Sequence, residues 1–339
     1  MKTEKEILNK KNILSGMQPT GRLHLGHYLG VLTNYAKLQN EYNCYFMAAD
    51  LHAMTAFYSD YEKAQEFLIP MISDWLAAGI DPEKAVIFVQ SDVSEHSELA
   101  LILSMYTPVS WLMRNPTYKD KQINIDKEID SHGFLGYPVL QAADILLYDA
   151  EFVPIGEDQL PHLDLSRDIV NRFNHFNKHN QNNVFRLPKP LLSSFPKVLG
   201  TDGRKMSKSY NNTLILSSDE DSLMKEIMTM KTDTARVRLK DPGNPQNCPV
   251  FTYYDFFAKE RKDEIADNCM KGSIGCKDCK NIVGSKIVVD LEPFRERYKE
   301  AKDNSQNINE ILKEGAIKAK EKARETMQKV KDSMGFYLK

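Results

Sequence analysis

Short apolar runs, each closed by polar residues, punctuate the first half of the chain. Cys44–Ala49 and Ala85–Gln90 read as buried strands. Ile13–Leu14 leads into a Gly/Pro-rich turn, Ser15 to Gly21, and a helix-like run from Leu23 to Leu38 leaves it. Tyr61 to Ala78 has helical spacing between the two strands. Pro138 opens a helix through Tyr148, Glu151–Ile155 is a strand, and a helix follows Gly156 to about Phe173. Strand and helix alternating in this way predict an α/β fold with a doubly wound parallel sheet, whose ligands sit at the carboxyl ends of strands. Asp50 and His52 occupy such an end. The polar segment Asn115 to Ser131 is expected to be a surface excursion or a mobile connection. Beyond Asn212 helical text dominates, predicting a C-terminal α-helical domain. Its last run, Ile308, Leu312, Ala316, Ala319, Ala323, Met327, Val330 and Met334, steps by three or four and ends at Gly335, which describes one helix with a single apolar stripe.

Composition narrows the classes. A chain of 339 residues with 42% hydrophobic residues buries one large core or two modest ones. A net charge of −2 provides no global field toward nucleic acid or membrane, so any RNA surface must be a local basic patch. The charged start, Met1 to Lys11, lacks the apolar core of a signal peptide, and no apolar run approaches about 18 residues; a cytosolic protein with no membrane partner is expected.

Five cysteines divide unequally. Cys44 lies in an expected buried strand. Cys248, Cys269, Cys276 and Cys279 cluster in the helical half with spacing Cx20Cx6Cx2C, and clustered cytosolic cysteines bind metal more often than they pair as disulfides. Zinc and a 4Fe-4S cluster both suit four thiolates. Lys271, Lys277, Lys280 and Lys286 surround them and suggest a basic surface for RNA.

The chemistry-bearing residues fall in two places. His24-Leu25-Gly26-His27 follows the Ser15–Gly21 turn, where a starting helix offers free backbone N–H groups to phosphate. Gly26 leaves room for an adenine ring, and the imidazoles of His24 and His27 can donate to phosphate oxygens as charge builds. About 180 residues later, Asp202 to Ser209 carries Lys205-Met206-Ser207-Lys208-Ser209, a polar cationic loop able to neutralise a triphosphate. No GxxxxGK[ST] loop occurs, so attack at the α-phosphate with release of pyrophosphate fits better than kinase chemistry.

These two motifs together resemble the paired ATP signatures of class I aminoacyl-tRNA synthetases. Ser15-Gly16-Met17-Gln18-Pro19-Thr20-Gly21 and Val153-Pro154-Ile155-Gly156-Glu157-Asp158-Gln159 narrow the resemblance to the tryptophanyl-tRNA synthetases, over nearly the whole chain. The resemblance implies a Rossmann-like catalytic domain over 1–198, a mobile lysine loop over 199–212 and a helical tRNA anticodon-binding domain over 213–339 whose last helix packs back on the catalytic domain. It implies that Asp158 meets the ATP ribose, that Gly156, Met206 and Ser207 line the ATP site, and that Lys119 joins Lys205 and Lys208 around the phosphates. Gln159 and Tyr137 would meet the amino group of tryptophan, and Gln18 its carboxylate end, with Leu14 and His52 completing the pocket. Tyr137, Gln141 and Asp144 are spaced as YxxxQxxD, on one helical face. Archaeal-type tyrosyl-tRNA synthetases share that pattern, and Asp144 can accept from an indole N–H or a phenol O–H. Their tyrosine before the turn is replaced here by Leu14, which favours tryptophan. Many tryptophanyl enzymes carry methionine where this chain has Gln141. The resemblance further implies Mg2+ with ATP, tRNA(Trp) as partner, transfer to the 2′-OH, a homodimer, and the 4Fe-4S cluster that a bacterial subset carries on a similar run of cysteines. Two other readings stand: an idle paralogue that binds tryptophan or RNA, and a small-molecule adenylyltransferase.

Overall fold

The computed structural model describes residues 10–59, 61–115, 118, 131–179, 182–192 and 198–336. Five parallel strands form its sheet: β1 (Asn12–Met17), β2 (Asn43–Ala48), β3 (Ala85–Val89), β4 (Phe152–Ile155) and β5 (Lys189–Leu192), in the order β3-β2-β1-β4-β5. Successive residues face opposite cores: Ile13, Phe46 and Ile87 join one apolar cluster, and Leu14, Met47 and Phe88 the other. That period-two split makes the sheet doubly wound, as the alternation of apolar runs predicts. β5 escaped the sequence reading because it contains Pro190, which an edge strand tolerates.

The helices used below are α1 (Asp50–Phe57), α2 (Leu68–Ala77), α3 (Glu95–Tyr106), α4 (Val109–Met113), α5 (His132–Leu147), α6 (Leu160–Phe176), α7 (Glu220–Thr229), α8 (Lys262–Met270), α9 (Cys276–Asp303) and α10 (Ser305–Met334). Three expected helices change shape. Leu23–Leu38 is broken into Leu25–His27, a π-helical turn at Tyr28–Leu32 and Thr33–Leu38, with Gly30 weakening its middle. Tyr61–Ala78 splits at Phe67, because the ring of Pro70 blocks the carbonyl four residues earlier. Pro138 does not open its helix: α5 begins at His132, where the Ser131 side chain accepts from the Phe134 N–H at 3.1 Å, and Pro138 sits inside. Two glycines, Gly133 and Gly136, hid that first turn from a propensity reading.

α10 carries the expected stripe, with Ile308, Leu312, Ala316, Ala319, Ala323, Met327 and Val330 all buried, and Gly335 ends it in the left-handed region at φ 69°. Ile308 and Leu312 belong to one apolar cluster and Ala316 onward to the other, so the helix passes around edge strand β3. The crossing is at Gly315, where a Cβ would stand 1.8 Å from the Ile87 carbonyl oxygen. No helix among the described residues is long and apolar enough to cross a membrane.

Candidate active site

β1 and β2 stay paired from Asn12↔Asn43 to Met17↔Ala48, whereas β1 and β4 pair at Ile13↔Phe152 and then part. This splaying, where the strand order reverses, opens a cavity of about 420 Å3. Leu14, Gln18, His52, Tyr137, Gln141, Asp144, Gly156 and Gln159 all line it, with Met47, Val153 and Ile155 adding apolar wall.

Asp144, on α5, is buried at one end of the cavity among protein donors. His52 Nε2 lies 2.8 Å from Oδ2; Gln90 Nε2 donates to Oδ1 at 2.8 Å and His96 Nδ1 lies 2.6 Å from Oδ1. His96 Nε2 in turn meets the Tyr148 hydroxyl at 2.8 Å, and the Gln90 amide oxygen accepts from the His52 backbone N–H. Burial alone would push the carboxyl up; the His52 charge and the hydrogen bonds from His52 and His96 outweigh it and hold Asp144 at about 2. A carboxylate has roughly four lone-pair sites, and three are taken.

Sequence reasoning missed Gln90 and His96. Gln90 was visible as the polar residue closing a buried strand, and His96 follows on the first turn of α3. It also missed His162, which lies within 3.2 Å of the Tyr137 hydroxyl and 3.0 Å of the Asn115 amide, fixing Tyr137 against the cavity. Its signal was position, three residues after Gln159.

The HLGH turn and the lysine loop pack on each other beside the cavity. Leu25 N–H donates to the Leu214 carbonyl and His24 bridges Ile215. His24 N–H donates to His27 Nδ1 at 3.2 Å, which leaves the His27 proton on Nε2, and the two rings lie 3.7 Å apart. Burial, then the nearby Lys208 charge, lowers His24 to about 4; burial, then His24 and Lys208, lowers His27 well below its ordinary value. Both imidazoles are therefore neutral at physiological pH. The space beside Gly26 abuts the His24 ring at 3.0 Å and Met206 at 3.7 Å, so its bareness here serves the contact between turn and loop.

Met206 is buried, and the Ser207 N–H donates to the side chain of fully buried Asn212, whose amide donates to Asp202 and to the Lys205 carbonyl. Lys208 Nζ donates to the Gly21 carbonyl, and burial, offset by the charge of Asp74, holds it at about 8. Lys205 and Asp158 point to solvent; Lys119 lies outside the described residues.

Cys248, Cys269, Cys276 and Cys279 are free, half-buried thiols. They come from the turn before Pro249, from α8 and from the first turn of α9. Burial, then the Cys248, Cys269 and Cys276 charges, push Cys279 up to about 11 against the Tyr254 hydroxyl bond, so the four thiols feel one another. Arg236 Nη1 lies 3.9 Å from Cys276 Sγ. Among the described residues no group of three or more His, Cys, Asp or Glu is arranged to hold a single metal ion. The expected basic surface is partly neutralised: Lys271 pairs with Asp267, Lys286 with Asp290, and Lys280 is drawn to the Met228 carbonyl.

A family profile for tRNA synthetases class I (W and Y) matches residues 8–290. The tryptophan--tRNA ligase of Thermotoga maritima is 47% identical over 328 residues, covering 96% of this chain and 99% of that protein. The Aquifex aeolicus tryptophan--tRNA ligase is 40% identical over 396 residues, covering 96% and 99%. The crystal structure of Campylobacter jejuni tryptophanyl-tRNA synthetase complexed with ADP and tryptophan superposes with a TM-score of 0.86 at 37% identity, over 96% of this chain and 100% of that one.

Proposed function

The chain belongs to the class I tRNA synthetases for tryptophan and tyrosine, and from that premise we propose that its cavity takes L-tryptophan while the HLGH turn and the lysine loop take ATP. The enzyme is a tryptophan–tRNA ligase. The observation that carries the assignment is Asp144: a buried carboxylate, ionised, with one lone-pair site open at the end of an apolar cavity, suits the N–H of an indole. Leu14 forms wall where a phenol would want a polar partner, and an unpaired buried hydroxyl costs about 1–3 kcal/mol. Tyr137 and Gln159 take the amino group, Gln18 lies by the carboxylate, and Gln141 and His52 close the sides.

Catalysis follows from position and charge. The tryptophan carboxylate oxygen attacks the α-phosphorus, the bond to the bridging oxygen breaks, and pyrophosphate leaves with its electron pair, giving tryptophanyl-adenylate. Neutral His24 and His27 donate N–H groups to the phosphates without permanent charge; Lys205, Lys208 and Lys119 supply the charge, and Mg2+ arrives with ATP. Gly156 and Asp158 hold adenine and ribose, with Met206 and Ser207 closing over them. The ribose 2′-OH of tRNA(Trp) then attacks the carbonyl and AMP departs.

Cys248, Cys269, Cys276 and Cys279 suit a 4Fe-4S cluster better than zinc. A cubane binds each thiolate at a different iron, so its sulfurs spread wider than the roughly 2.3 Å shell around one ion. The four thiols come from neighbouring elements, the turn before Pro249, α8 and the first turn of α9, and each would meet its own iron. The group would tie α8 and α9 together within residues 213–339, the proposed tRNA-binding domain; 1–198 is the catalytic domain and 199–212 its loop. Leu101 and Met105 on α3 and Val109 and Met113 on α4 are 55–74% exposed and suit a second copy, giving a homodimer. A cytoplasmic protein is the matching localisation.

Tryptophan-dependent exchange of labelled pyrophosphate into ATP, run beside tyrosine, tests the assignment. Exchange with tryptophan at least a hundredfold above tyrosine is expected. Equal exchange would overturn the specificity, and none with either would favour an idle binder.

A further inference from the structure

Three side-chain donors converge on Asp144. The carboxylate receives Gln90 Nε2 and His96 Nδ1 on Oδ1 and His52 Nε2 on Oδ2. Gln90 and His96 are fully buried and lie behind the cavity wall; neither lines the cavity, so neither can touch a ligand there. The far nitrogen of His96 faces the Tyr148 hydroxyl, which donates to it when His96 carries its proton on Nδ1. Gln90 is oriented from its other end, its oxygen accepting the His52 backbone N–H. Its amide nitrogen is thereby the atom that faces Asp144.

From this wiring we infer that Gln90 and His96 are specificity-determining positioning residues, which spend their protons on Asp144 and so hold its carboxylate fixed as an acceptor facing the cavity. The inference rests on the cavity being the tryptophan site. An indole N–H is a donor with no acceptor and is satisfied by such a surface. A phenol brings an oxygen that also seeks a donor, and the protons of Gln90, His96 and His52 are already spent on Asp144. Losing either supporting residue would leave Asp144 able to rotate, or would release a donor toward the cavity, and both changes blur the distinction between rings.

The test compares kcat/KM in pyrophosphate exchange for tryptophan and for β-(3-benzothienyl)alanine, which replaces the N–H by sulfur. The wild-type protein should prefer tryptophan strongly. His96→Leu and Gln90→Met should each reduce the ratio about tenfold or more, the usual size of an orienting partner's effect. His96→Asn, which returns a donor near the Nδ1 position, should restore most of it. A wild-type protein indifferent to the sulfur analogue would remove Asp144 from tryptophan recognition altogether. A discriminating wild type with unchanged ratios in the variants would leave Asp144 in place and overturn the roles of Gln90 and His96. Should the variants not fold, the 15N shifts of histidine-labelled wild-type protein decide: a proton on Nδ1 of His96 and on Nε2 of His52 is expected, and the opposite tautomer at His96 would overturn the wiring.

Discussion

Lys208 Nζ donates to the Gly21 carbonyl at 2.8 Å across 187 positions of sequence, which fastens the lysine loop to the turn that enters the HLGH segment. The ammonium must leave that carbonyl to reach a departing pyrophosphate, so its contribution belongs to the transition state more than to bound substrate. Lys208→Ala should lower the adenylation rate about 10²-fold or more, with little change in tryptophan affinity, as read by single-turnover kinetics. Comparable losses in rate and in affinity would contradict this role.

Asp74, on α2, lies 1% exposed near Leu23, Arg22 and Lys208, with one carboxyl oxygen lacking a partner among the described residues. Burial pushes its carboxyl up from 3.8 to about 7, against the Leu23 N–H bond and the charges of Arg22 and Lys208. Below pH 4 the group is neutral folded or unfolded, so burial carries no ionisation penalty. Between pH 4 and 7 the unfolded chain ionises first, and the folded protein loses stability, by roughly 4 kcal/mol at most. The Tm of the wild type relative to Asp74→Asn should therefore fall from pH 4 to 7 and level off above. A Tm difference flat across that range would show a carboxyl titrating normally.

Protein purified without oxygen should be brown and hold about four irons and four sulfides per chain. Replacing Cys276 by serine should bleach it and weaken tRNA charging while leaving pyrophosphate exchange within about twofold. A colourless protein with one zinc would replace the cluster by zinc, and a metal-free protein with full charging would remove the metal from the cysteines.

Met105 is 74% exposed on α3 beside Leu101. A charge there should be tolerated by the fold and resisted by the dimer. Met105→Asp is expected to halve the mass seen by light scattering, with Tm changed by no more than a few degrees. An unchanged mass would place the interface elsewhere.

The parallel sheet was legible because β2 and β3 are continuous apolar runs, a pattern that burial on both faces demands. α10 was legible because one stripe of small and aliphatic residues leaves no other helical face to bury. β5 and the first turn of α5 were not, since Pro190 and the glycines around Phe134 argue locally for irregular chain and yield to edge geometry and to the Ser131 cap. At the site, motif residues announce themselves because ligand chemistry restricts their spacing. Gln90, His96 and His162 act on neighbours brought from other elements, and no spacing along one chain encodes such a partnership. The lysines around Cys276 show the converse: sequence displays four charges, while Asp267 and Asp290 quench two of them.

The passage of α10 around β3 at Gly315 has a consequence during synthesis. An edge strand with uncovered backbone is a template for foreign strands. Because residues 305–334 follow all five strands in the chain, they leave the ribosome after the sheet, and the flank of β3 that α10 shields stays open until they do. A stalled or clipped polypeptide would keep the entire nucleotide-binding sheet yet expose the flank of Ile87, and would be drawn into intermolecular strand pairing; the final helix is thus the step that turns the nascent catalytic half from an aggregation seed into a dispersed protein.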